Sequence, residues 1–127
     1  LNEYICRHNL NDIIALKGFT TDKKIYEKYS ALLSASMNEG LPLTVLEAKR
    51  CGVPTITFSW GDSTCEVVND KDDGYIVKTD EEFIEKIIYL IDNQNELKKL
   101  SVNAQSSYYN FSPDSFKENY TEFIEKY

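Results

Sequence analysis

A chain of 127 residues can bury one modest core but is short for a two-domain enzyme, and 42% hydrophobic with 13% aromatic residues is the composition of a packed domain. Fourteen basic against twenty-one acidic residues leave a net charge of −7 with no Lys/Arg stripe, which argues against nucleic acid or anionic membrane as a partner through bulk electrostatics. Cys6, Cys51 and Cys65 lack any C-x-x-C pairing, so they are expected as packing residues of a cytoplasmic protein, not as a disulfide framework or zinc site.

From the N-terminus, a polar opening leads to "IIALKG", which reads as a short buried strand closing at Gly18. "TTDKKIYEKYSALL" offers Thr21 or Asp22 as an N-cap and Ile25, Tyr29 and Leu32 on one face, predicting an amphipathic helix. "LLSAS" is a brief strand, followed by the loop "MNEG". Helical patterning from Leu43 to Cys51 is stopped by Gly52 and Pro54. "PTITF" is a β-branched strand, "SWGDST" a loop, Cys65 to Val68 about one helical turn, and "GYIV" the last strand. The remainder is helical: "TDEEFIEKIIYLI" with Thr79 and Glu82 as a capping box, "ELKKLSVNAQSSYY", and a final helix starting at Ser112 and Pro113 with Phe116, Tyr120, Phe123 and Tyr127 on it.

Short strands alternating with helices predict an α/β fold, a Rossmann-like parallel sheet flanked by helices, with a helical C-terminus and one domain over residues 1–127. In such sheets ligands lie beyond the carboxyl ends of the strands, where "MNEGLPL" and "SWGDST" fall. No apolar run approaches the ~18–20 residues of a membrane span, and nothing resembles a cleavable signal.

Glu39 and Glu47 flank the start of the Leu43 helix. Thr44 and Glu47 have capping-box spacing, which needs no ligand, and Glu39 is equally readable as a solvated loop carboxylate. The functional reading uses the same stretch differently: Gly40 lets backbone approach a ligand, the amides of Leu43 and Thr44 are available to phosphate, and the two carboxylates accept hydroxyl hydrogens. That is the layout of a sugar nucleotide.

"SASMNEGLPLTVLEAKRCGVPTITF", followed by a glycine loop, "CEVV" and "DGYIV", closely resembles the C-terminal half of retaining GT-B glycosyltransferases of family 4, group 1. The resemblance covers essentially the whole chain. It implies a transferase that takes its sugar from a nucleotide-diphosphate donor, with no cofactor and no metal. By that resemblance Glu39 is the catalytic-side glutamate facing the donor sugar. Gly40, Leu41, Pro42, Leu43 and Thr44 meet the donor sugar and phosphate, and Glu47 binds the ribose. Gly18 and Phe19 lie on the nucleobase side, while Gly61 and Glu66 shape the second loop.

Pro42 stands at the family's second glycine and removes one N–H; Thr44 replaces a common proline. "SWGDST" is longer than the usual glycine loop, which assigns Trp60 and Asp62 to sugar choice. The family's upstream Arg and Lys pair and its N-terminal domain, through which an acceptor sugar or lipid-linked sugar binds, have no match here. The segment alone is therefore expected to be inactive. The resemblance further implies cell-surface polysaccharide or glycoconjugate synthesis in the cytoplasm, any membrane association being carried by the rest of the protein. It also implies that the last helix packs across to the N-terminal domain. His8 is expected at the surface or in packing, and Tyr26, Tyr29, Tyr89, Tyr108 and Tyr109 on helix faces, as core. The alternatives are a sugar-nucleotide epimerase or phosphorylase of the same fold, or a non-catalytic α/β nucleotide-binding module. The sequence lacks both G-x-G-x-x-G and G-K-[ST] after a glycine loop.

Overall fold

A computed structural model describes residues 1–22, 24–36, 40, 42–61 and 63–125. Three short strands, β1 (Leu32–Ser34), β2 (Thr55–Phe58) and β3 (Gly74–Val77), pair in parallel in the order β1-β2-β3. Thr55 lies opposite Leu32 on one side and Gly74 on the other. Because strand side chains alternate between faces, β3 sends Tyr75 and Val77 to one layer and Ile76 to the other.

On the first face Ile56, Tyr75 and Val77 pack with Leu90 of α4 (Asp80–Asp92) and Leu100 of α5 (Gln94–Ser107). Phe58 stacks on Phe83 at 5.0 Å between centroids. Each such buried aliphatic contributes ~1.5–3 kcal/mol. On the second face Val45 of α2 (Leu43–Arg50) joins Trp60 and Val67 of α3 (Ser63–Val67), together with Val68. Helices thus cover both faces, as a parallel sheet requires.

Two glycines are needed where they stand. Gly52 takes φ +69°, the left-handed step after α2 that an L side chain resists, and its carbonyl accepts a 2.6 Å bond from Ser101 Oγ. Gly74 lies so close to β2 that a Cβ would run into the Thr55 carbonyl oxygen and the Val68 side chain. The Thr79 cap forms as its spacing requires, Oγ1 accepting the Glu82 N–H at 3.2 Å, while Glu82 reaches back to the Lys78 N–H at 2.7 Å.

Three expectations are corrected. "IIALKG" forms no strand: no described strand pairs with it, and Ile13 stays 79% exposed. The helix expected after Thr21 is a single 3-10 turn, Ile25–Lys28. Asp22 Oδ1 accepts the Lys24 N–H at 3.0 Å, and Leu32 is drawn into the sheet through its N–H to the Pro54 carbonyl at 2.9 Å. The cysteines are not core: Cys6 and Cys65 are exposed and Cys51 is half-buried.

One element was not expected, the short helix α1 (Asn2–Arg7), which carries a 2.8 Å Arg7–Glu3 ion pair and a Tyr4–His8 ring contact. The last helix, α6 (Pro113–Glu125), starts at the predicted residues, with Ser112 Oγ accepting the Ser115 N–H at 3.1 Å. Its Phe116 and Tyr120 rings stack in solvent; Tyr127 and the side chain of Phe123 lie outside the described residues. Among the described residues, no helix is long and apolar enough to cross a membrane.

Candidate functional site

The site is organised by the start of α2. Pro42 is its N-cap, extended at φ −77° and ψ 90°, with no side-chain cap. Its carbonyl accepts the first two helical bonds, from the Val45 and Leu46 N–H groups at 3.0 and 3.2 Å. The Leu43 and Thr44 amides find no acceptor among the described residues. These are orphan donors at the positive end of the helix dipole.

The capping box expected at Thr44 and Glu47 therefore does not form. The helix starts at Leu43 with Pro42 as its N-cap, where a proline bars further extension upstream, so Thr44 is already inside α2. The Glu47 carboxylate is exposed and accepts instead from the Tyr26 hydroxyl at 3.2 Å.

That contact closes one side of a cavity of about 270 Å³. Phe19 and the Thr20–Asp22 turn form one wall, Ile25 and Tyr26 of the 3-10 turn the second, and Glu47 the third. Phe19 stands at its mouth, 94% exposed. Gly18 precedes it at φ +67°, with open space where a Cβ would be. Burial and then the Glu47 charge push the Tyr26 phenol above its usual range, so it stays a donor to that carboxylate. Phe19 and Glu47, distant in the chain, thus meet at one cavity, with Gly18 adjoining Phe19 in the chain but not part of its lining.

Glu39, Leu41 and Asp62 lie outside the described residues. Gly40, Leu43 and Thr44 are exposed around the helix start, and Pro42 is buried. In the second loop Gly61 is exposed at φ +118°. Glu66 is exposed on α3 without a hydrogen bond among the described residues. The loop's bond comes from Thr64, whose Oγ1 accepts the Trp60 N–H at 2.9 Å. Trp60 itself is 8% exposed and packs in the core with Val45 and Val67, its indole N–H without an acceptor among the described residues. It is a packing residue here.

Sequence reasoning assigned Tyr26 to the core, yet it lines the cavity. Lys49 was also passed over, although a lysine on the Val45 and Ala48 face of a helix is itself a signal. It is buried, and its Nζ donates to the Val67 carbonyl at 2.6 Å and to Asp73 Oδ2 at 2.7 Å. Asp70 and Asp72 have D-x-D spacing but are used within the fold: Asp70 accepts the Ile76 N–H and Asp72 accepts from Asn103, each at 3.0 Å.

The model of the family described as "Glycosyl transferases group 1" matches residues 1–107. The UDP-N-acetylglucosamine--peptide N-acetylglucosaminyltransferase GtfA subunit of Streptococcus pneumoniae serotype 4 is 36% identical over 87 residues, 67% of this chain and 17% of its own length. The crystal structure of the pneumococcal O-GlcNAc transferase GtfA in complex with UDP and GlcNAc superposes with a TM-score of 0.82 at 27% identity, over 98% of this chain and 26% of that one. Anabaena HepE in complex with UDP-glucose shares the fold at a TM-score of 0.83 and 19% identity, over 99% and 36% of the two chains. So does the C-terminal domain of a Francisella tularensis glycosyl transferase group 1 family protein, LpcC, at 0.71 and 23%, over 83% and 56%. The chain thus spans a small part of its curated relatives, and on the family match and the shared fold it belongs to the glycosyl transferases group 1 family, within the C-terminal half of the GT-B architecture.

Proposed function

We propose that this chain is the donor side of a retaining glycosyltransferase that moves a sugar from a nucleotide diphosphate to an acceptor. The observation that carries the reading is the cavity that brings Phe19 and Glu47 together. A nucleobase rests against Gly18 and Phe19 at its mouth, and the ribose hydroxyls replace Tyr26 on Glu47. The diphosphate then reaches the amides of Leu43 and Thr44, which find no acceptor among the described residues and where the helix dipole favours its charge. The fold relative GtfA was solved with UDP and GlcNAc, which supports UDP as the nucleotide. Glu39, five residues before Thr44, serves the donor sugar near the reacting carbon, with Gly40 and Leu41 beside it. Gly61 and Glu66 shape the facing loop.

The remainder of the protein supplies the acceptor site and the positive groups that stabilise the departing diphosphate, a large share of the catalysis in such a transfer. Cell-surface polysaccharide or glycoconjugate synthesis is the setting by analogy with the family, reached without a metal or other cofactor. Ligand-detected NMR with UDP, GDP and ADP tests the binding step. UDP should show saturation transfer to both its base and ribose protons. Absence of transfer to all three nucleotides would refute the reading.

A further inference from the structure

Lys49 is 2% and Asp73 1% exposed, an ion pair at 2.7 Å wholly inside the fold. Burying two charges is costly, and the geometry must be good to offset it. Here the pair is bonded both within the turn before β3 and across to α3 and α5. Lys49 Nζ takes the Val67 carbonyl at the end of α3, where the negative end of the helix favours a cation, and it lies 5.7 Å from the centre of the Phe111 ring. Asp73 accepts from the Asn69 backbone at 2.9 Å, from the Asn69 side chain at 2.5 Å and from Ser107 of α5 at 2.8 Å. The ion pair therefore joins α2, α3, the turn before β3 and, through the Ser107 bond to Asp73, α5.

Successive helical residues turn by about 100°, so two residues place Lys49 on nearly the opposite side of α2 from Glu47. The structure agrees: Lys49 is buried while Glu47 is exposed and faces the cavity. Any roll of α2 that displaced Lys49 would swing Glu47 by the same angle. Val45 and Ala48 bury the same side, but apolar packing is non-directional and tolerates a small roll better than the Lys49 bonds do.

We propose that Lys49 and Asp73 are positioning residues that fix the roll of α2, and so the aim of Glu47 at the ribose, by tying that helix to α3 and α5. This rests on the nucleotide reading of the cavity. Asp73 cannot act on a ligand directly because it is buried among its donors, and Lys49 has no solvent path either.

The test is a double-mutant cycle on UDP affinity in the full-length enzyme, with Lys49→Met, Glu47→Ala and both together, and with thermal unfolding to verify that each variant folds. If Lys49 acts through Glu47, Lys49→Met weakens UDP about tenfold, within the range for residues coupled through a shared network, but changes it by less than about twofold once Glu47 is alanine. Should Lys49→Met fail to fold, Lys49→Met with Asp73→Asn leaves no buried charge and the cycle is run on that pair. Equal loss with and without Glu47, or unchanged UDP affinity in a folded variant, overturns the positioning role. If Glu47→Ala alone leaves UDP affinity intact, the cavity reading falls and the positioning role with it. Loss on Glu47→Ala without loss on the Lys49 variant overturns only the positioning role.

Discussion

Replacing Glu47 with alanine separates the ligand role of this carboxylate from any role in folding. Its one side-chain hydrogen bond among the described residues is from Tyr26 at 3.2 Å, on an exposed side chain, and such a bond contributes ~1 kcal/mol or less. No cap is lost, since the N-cap of α2 is Pro42, whereas loss of a side-chain cap costs ~0.5–2 kcal/mol. Alanine also returns a few tenths of a kcal/mol, roughly, in helix propensity. The net change in stability should stay within about 0.5 kcal/mol.

Binding responds differently. Hydrogen bonds to a charged group contribute ~1.5–3 kcal/mol, so UDP affinity should fall roughly 10- to 150-fold. Calorimetric titration of UDP alongside thermal unfolding reads both numbers. Tyr26→Phe is the companion variant: it removes the donor that holds Glu47 without ligand, so UDP affinity should stay level or rise. A clear loss of stability in Glu47→Ala with unchanged UDP affinity would refute the reasoning, because it would make the carboxylate structural.

Gly74→Ala should cost at least ~1–3 kcal/mol, the range for overpacking, because its Cβ meets the Thr55 carbonyl in the adjacent strand; urea unfolding checks this. Trp60→Phe should cost less than ~2 kcal/mol despite the smaller ring, since it removes a buried indole N–H that has no acceptor among the described residues; thermal unfolding reads it. Burial first, then Glu96 nearby, pushes the Tyr75 phenol up to about 12 from the ordinary 10. The folded chain then holds this proton more tightly than the unfolded chain, so stability is full below pH 10 and falls as pH rises from 10 towards 12. Tyr75→Phe should flatten that slope in alkaline unfolding curves.

Where a structural cue was local, the sequence displayed it. Gly52 ends α2, the Thr79 and Glu82 pair starts α4, and the β-branched run 55–58 forms β2. Elements that depend on a distant partner were less legible. "IIALKG" has strand composition, but a strand exists only through its ladder, and β1 to β3 leave it unpaired. Thr44 and Glu47 had the spacing of a cap, yet the fixed backbone of Pro42 had already set the helix start.

The site shows the same division. Motif resemblance points to Gly18, Phe19 and Glu47, and the fold brings Phe19 and Glu47 to one cavity. Tyr26 was passed over because its approach to Glu47 depends on the 3-10 turn replacing a full helix. Lys49 was missed for a similar reason: a lysine on an apolar helix face reads as an exception until Val67 and Asp73 are seen to receive it.

The central claim is that one nucleotide runs from the Phe19 cavity, past Glu47, to the start of α2. A crystal structure of the full-length protein with UDP tests it most directly. The predicted result is uracil against Gly18 and Phe19, ribose hydroxyls within hydrogen-bond reach of the Glu47 carboxylate, and phosphate oxygens on the Leu43 and Thr44 amides. UDP bound elsewhere, or with its ribose turned away from Glu47, would contradict it.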